Sequence, residues 1–200
     1  MADRRDGRRG RGRDYGRAGS LSVFRGWCYC VSGPISEATA PTKTRRASVT
    51  RQVSPAKQVS SFIAKFDPPV QTLIRSARRS LRRRWPTSVE LVYDNYNALA
   101  IGYGSSERAS DVIVSIAAFA RGVNLYFNYG KALPDPKRLL NGAGNQGRFI
   151  RLESASLLAN PDVDALLRAA AKHGKTPLAA AGRGYTLVKS ISARQRPRRV

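Results

Sequence analysis

The stretch 88-SVELVYDNYNALAIGYG-104 decides the fold, because the period of the chain changes where it begins. Residues 88–96 and 97–104 alternate with a period of two, as a strand and its hairpin partner do. On the N-terminal side of Pro86 the period is helical. Val59, Phe62, Ile63 and Phe66 recur at i, i+3, i+4 and i+7 behind Ser54-Pro55, a cap followed by Pro at the first helical position. Asp67-Pro68 opens a second helix. Val70, Leu73, Ile74, Ala77 and Leu81 form its apolar face, Arg75, Arg78, Arg79, Arg82 and Arg83 lie opposite, and Pro86 ends it.

On the C-terminal side the strand pattern continues. Residues 111–119 and 123–129 flank the short loop 120-ARG-122, and 148-RFIRLES-154 reads as a fifth strand. Between them 134-PDPKRLLNG-142 reads as a helical turn capped by Asp135 and closed by Gly142. Asn160-Pro161 starts a last helix with Val163, Leu166, Leu167 and Ala170 on one face, and Gly174 ends it. Helices, a strand meander and a helix, in that order, predict an α+β two-layer sandwich. Its sheet has about five strands, largely antiparallel, with the helices on one face.

The formal net charge is +23 over 200 residues, and it is unevenly placed. Residues 1–50, 51–85, 86–174 and 175–200 carry +7, +8, +1 and +7. Like-charged blocks belong to solvated segments, because a packed core does not hold them. This divides the chain into a disordered Arg/Gly-rich extension and linker over 1–53, a folded domain over 54–174 and a basic C-terminal extension over 175–200. Residues 1–50 admit a second reading, as translation from upstream of the true start. Cys28 and Cys30 in 27-WCYC-30 read as free thiols, since no His lies near them to complete a metal site. No apolar run approaches the roughly 18 residues that span a bilayer. The expected location is cytoplasmic, with no membrane partner.

Residues 142–147, GAGNQG, match the glycine pattern that cradles a dinucleotide. That pattern works when a strand leads in and a helix leads out, so that the helix N-terminus faces the phosphates. Here a helical turn leads in and a strand leads out. Gly142 and Gly144 are therefore expected to supply positive φ in a tight loop. Gly147 and Arg148 remain candidates for holding an anion.

The run 125-LYFNYGKALPDPKRLLNGAGNQGRFIRLES-154 resembles the YdhG-like family. The motif positions are Leu125, Phe127, Gly130, Leu133, Asp135, Pro136, Leu139, Leu140, Gly142, Gly144 and Arg148. The segments 90-ELVYDNYNALAIGY-103 and 187-LVKSISARQRPRR-199 also look like this family, so the resemblance covers about residues 55–200. Asn145 stands where many relatives carry Lys, and Phe149 where they often carry His or Tyr. The resemblance implies a frataxin-like α/β sandwich of unestablished activity, linked to iron delivery for iron–sulfur cluster assembly. Iron would be the ligand, and the assembly machinery the partner.

Iron at a labile site wants several converging oxygen ligands. Glu90 and Asp94, four residues apart on one side of the first strand, are the candidate pair; the competing reading is a solvated strand face. No Ser-His-Asp spacing, HExxH or P-loop is present, so no catalytic residue is assigned and a non-enzymatic binding protein is expected. The other reading is association with nucleic acid, its phosphates held by the basic tails and by Arg75, Arg78, Arg79, Arg82 and Arg83. Those five also suit a merely solvated face. Tyr93, Tyr96, Tyr103, Tyr126 and Phe127 are candidates for stacking on bases.

Overall fold

A computed structural model of the chain describes residues 53–199. The Arg/Gly-rich extension, the two cysteines and the question of the native start lie outside the described residues. The element order is α1 (Pro55–Ile63), α2 (Pro68–Arg84), β1 (Val89–Asp94), β2 (Leu99–Gly104), β3 (Val112–Phe119), β4 (Gly122–Phe127), β5 (Arg148–Leu152), α3 (Pro161–His173) and β6 (Thr186–Ile191). Short 3-10 turns lie at Ala109–Asp111, Gly130–Ala132 and Ala155–Ala159.

The strands form one sheet in the order β5-β4-β3-β2-β1-β6. β1 to β5 are an antiparallel meander, as the alternation predicts. β6 is the departure. It pairs parallel to β1, with Thr186 opposite Glu90 and Val188 opposite Val92. The sheet is thus six-stranded and mixed, and its last strand comes from the segment read as a basic extension.

The helices lie on one side of the sheet, making an α+β fold. Val59, Phe62, Ile63, Ile74, Ala77 and Leu81 of α1 and α2 share a core with Leu99, Ile101, Ile116, Leu125 and Phe127 of the sheet and with Val163, Leu166 and Leu167 of α3. The other face carries a smaller cluster of Val89, Leu91 and Val112, with Tyr93 and Leu187 against it. Asn160 caps α3, its side-chain oxygen accepting from the N–H groups of Asp162 and Val163. Ser54 and Asp67 occupy the cap positions of α1 and α2, but there the Pro residues start the helix and neither side chain makes a capping hydrogen bond. Among the described residues no helix is long and apolar enough to cross a membrane.

Candidate functional site

Glu90 and Asp94 share the helix-facing side of β1, one on each side of Val92. Neither is on a solvated face: Glu90 is 2% exposed and Asp94 is 0%. A buried carboxylate needs donors on both oxygens. For Glu90 these come from three elements. Arg78 of α2 donates from Nε and Nη2 to the two carboxylate oxygens at 2.7 Å each. Tyr103 Oη of β2 donates to Oε1 at 2.9 Å, and Thr186 Oγ1 of β6 donates to Oε2 at 2.7 Å. Arg82 Nη1 adds its charge 3.7 Å away.

Burial by itself raises the Glu90 carboxyl. The Arg78 hydrogen bonds and charge, with those of Thr186 and Tyr103, outweigh it and hold the group below the usual carboxylate range. The same contact raises Arg78. Burial, and next to it the Glu90 charge, push the Tyr103 hydroxyl far above its ordinary value, so it serves as a donor. Arg78 is therefore not a member of the outward arginine face, which is a correction to the helical reading.

Asp94 is held in the same way by residues remote in sequence. Lys65, just beyond α1, reaches Oδ2 at 2.5 Å. Gln195 Nε2 donates to Oδ2 at 2.7 Å, and Arg198 Nη2 donates to Oδ1 at 3.0 Å. Arg198 is 3% exposed and lies over the Phe66 ring. Burial lowers its affinity for the proton, and the Asp94 charge opposes that. As a metal pair the two carboxylates are already occupied by the protein's own cations. Among the described residues no group of three or more His, Cys, Asp or Glu converges.

The glycine segment is a stapled loop. Residues 136–140 do not form the expected helical turn. The Asp135 carboxylate accepts from the N–H groups of both Leu139 and Leu140, at 2.9 and 2.7 Å. Arg138, at φ 53°, turns the chain left-handed between them. Arg148 Nη1 donates to the carbonyls of Gly144 and Gly147, at 2.6 and 2.8 Å. Asn141 and Phe149 close the loop with a two-way backbone bridge. Gly142 has φ +111°, as expected; Gly144 does not have positive φ and its glycine is not explained that way. At Gly147 a side chain would overlap the Tyr126 ring. Asn145 and Pro136 are exposed, and Gly130 and Leu133 are buried at the loop's start. Arg148 thus ties the loop together through Nη1, which is taken by the loop's own carbonyls.

Arg75, Arg79, Arg82 and Arg83 are exposed along α2. Arg75 contacts Gln71. Arg79 and Arg83 make no ion pair among the described residues. Arg84 and Arg168 share one carboxylate, Asp164. Burial and the charge of Arg168 lower Arg84, as crowding of like charges does. Below Arg83 and Arg84 runs a groove of about 490 Å³, between α2 and the turn Ala155–Ala159. Of the proposed stacking residues, Tyr103 and Phe127 are fully buried, while Tyr96 is exposed and lies under Arg196 at 5.3 Å.

Sequence reasoning found Glu90, Asp94 and the arginines, read Tyr103 as a stacking residue rather than a donor to Glu90, and missed Lys65, Thr186, Gln195 and Arg198. Nothing local marks these four, because each gains its partner only in the tertiary fold. No family model, curated protein or solved structure matches this chain.

Proposed function

We propose that this chain carries a YdhG-like domain and is a non-enzymatic binding protein for polyanions, its natural ligand being the phosphate backbone of nucleic acid. One observation carries the reading: the fold uses its carboxylates inside. Glu90 and Asp94 are buried, and these two with the half-buried Asp135 and Asp164 are engaged by the protein's own cations or by backbone N–H groups. Only Glu107, Glu153 and Asp162 are exposed acids among the described residues, against nineteen exposed Lys and Arg. The exposed surface of the described residues is thus strongly basic. Such a field attracts polyanions and releases their counterions on contact. The iron carriage implied by the YdhG-like resemblance draws no support from Glu90 and Asp94, whose oxygens are taken.

Binding of the full chain to a single-stranded RNA, a DNA duplex and heparin, followed by fluorescence anisotropy across a salt series, tests this. Log affinity should fall with log salt at a slope of about −3 or steeper, as expected for four or more neutralised phosphates. Arg75→Gln/Arg79→Gln/Arg83→Gln should make the slope shallower by roughly three. Absence of binding to all three ligands at about 50 mM salt would end the proposal.

A further inference from the structure

The groove beside α2 differs from the rest of the basic surface in having an apolar floor. Leu81 and Leu158, 1% and 5% exposed, form its base, with Ala155 and Ala159 on one wall. Ser80, Arg83 and Arg84 form the other. Its volume of about 490 Å³ falls in the range of about 300–1,000 Å³ that holds a small organic group. We propose that this groove is a nucleotide subsite for single-stranded nucleic acid, taking one sugar and base on its apolar floor while Arg83, Arg79 and Arg75 follow the neighbouring phosphates. The proposal rests on the phosphate-binding reading above and deepens it.

Charge complementarity is the first argument. Arg83 and Arg84 line the groove, and Asp164 is the carboxylate that answers Arg84, which shares it with Arg168. The surplus is positive at the rim and absent at the floor. A ligand with an anionic chain and a flat, weakly polar body fits both. Spacing is the second argument. Arg75, Arg79 and Arg83 stand at i, i+4 and i+8 on α2, so each step rises about 6 Å along the axis. A regular row of this kind suits the successive phosphates of an extended strand. Side-chain type is the third. All six cations on α2 are Arg, with no Lys among them. The guanidinium pairs bidentately with phosphate and also lies flat on a base. A duplex keeps its bases paired and stacked away from the floor, so the subsite selects single strands. An acidic peptide with apolar residues is the rival occupant, but it lacks the regular charge spacing.

The test uses the full chain and a uridine oligomer of about ten nucleotides carrying one 4-thiouridine, with heparin, an RNA duplex and an acidic-apolar peptide as competitors. Ultraviolet cross-links should map to residues 80–84 and 155–159. Ala159→Trp, which fills the groove, should weaken single-strand binding by about fivefold or more, fivefold being the low end of one base's contribution, and leave heparin affinity unchanged. Ser80→Phe fills it from the opposite wall and should do the same if Ala159→Trp fails to fold. Cross-links confined to other segments, or filled variants that bind the strand as the parent does, would overturn the subsite. So would the acidic peptide displacing the strand at the groove more effectively than single-stranded RNA does. Heparin separates the two levels. If heparin binds and the fills have no effect, only the subsite fails; if neither heparin nor the strand binds, the phosphate-binding reading fails with it.

Discussion

At the scale of single residues, the decisive groups are the two carboxylates on β1. Glu90 receives four hydrogen bonds from Arg78, Tyr103 and Thr186. Removing its charge leaves Arg78, itself only 18% exposed at the side chain, without a counter-charge. Breaking one side of a buried pair typically costs about 3–5 kcal/mol. Glu90→Gln should therefore lose about 3 kcal/mol at pH 7, read by urea denaturation. The pH dependence follows from the lowered pKa of Glu90 in the fold. A carboxyl depressed on folding contributes stability above its unfolded pKa, about 4.3, and loses it as pH falls through the folded value. The parent should thus lose stability steeply below about pH 4, and Glu90→Gln should lose less over the same interval. An equally steep acid limb in the variant would show that Glu90 is not the group responsible. Carboxylates so placed were legible as a pair from their four-residue spacing on one strand. Their burial was not, because β1 has apolar residues on both faces and its alternation does not say which face is covered.

Among the elements, β6 and the residues after it carry the least visible part of the fold. Residues 186–191 are half-buried or exposed, as an edge strand is, and they sit in a segment with seven cations and no acid. Charge alone therefore reads them as a solvated tail. What recruits them is a non-local event, parallel pairing with a strand about a hundred residues earlier. Beyond β6 the tail turns back, with Ser192 N–H bonding Asp94 O and Arg196 N–H bonding Tyr96 O, and delivers Gln195 and Arg198 to Asp94. A chain ending at Ser192 keeps β6 but leaves Asp94 with Lys65 alone. We expect it to be less stable by about 3 kcal/mol. Asp94→Asn in that shortened chain should recover part of the loss, whereas in the full chain the same change should destabilise. The opposite signs form a cycle that isolates the Asp94–Arg198 pairing from the rest of the tail. By contrast the hairpins and the three helices were legible because period and punctuation agree in them. The turn at 136–140 was misread for a local reason: the Asp135 carboxylate caps Leu139 and Leu140 directly, and a left-handed Arg138 replaces the helical step.

For the whole molecule, the relevant quantity is the sign of the exposed surface. Nineteen exposed cations face three exposed acids among the described residues, so repulsion between surface charges opposes folding. Ionic strength acts on the two kinds of charge differently. Exposed charges are screened over about 10 Å at 0.1 M and about 3 Å at 1 M, whereas buried pairs such as Arg78–Glu90 are screened little. Added sodium chloride should therefore raise Tm, by roughly 2–4 °C between low and physiological salt if the relief is about 1 kcal/mol. A protein held together by exposed ion pairs would show the reverse. Inorganic polyphosphate at fixed ionic strength should raise Tm further, with the logarithm of its concentration once above its Kd, because a ligand bound by the folded state alone stabilises it by mass action. Scanning calorimetry on the full chain separates these effects. A rise with chloride and none with polyphosphate would mean that the surface repels itself without forming a site, and that the positive field serves solubility alone. A rise with both, lost for polyphosphate in Arg75→Gln/Arg79→Gln/Arg83→Gln while the chloride response persists, would tie the binding to α2 and the repulsion to the surface as a whole.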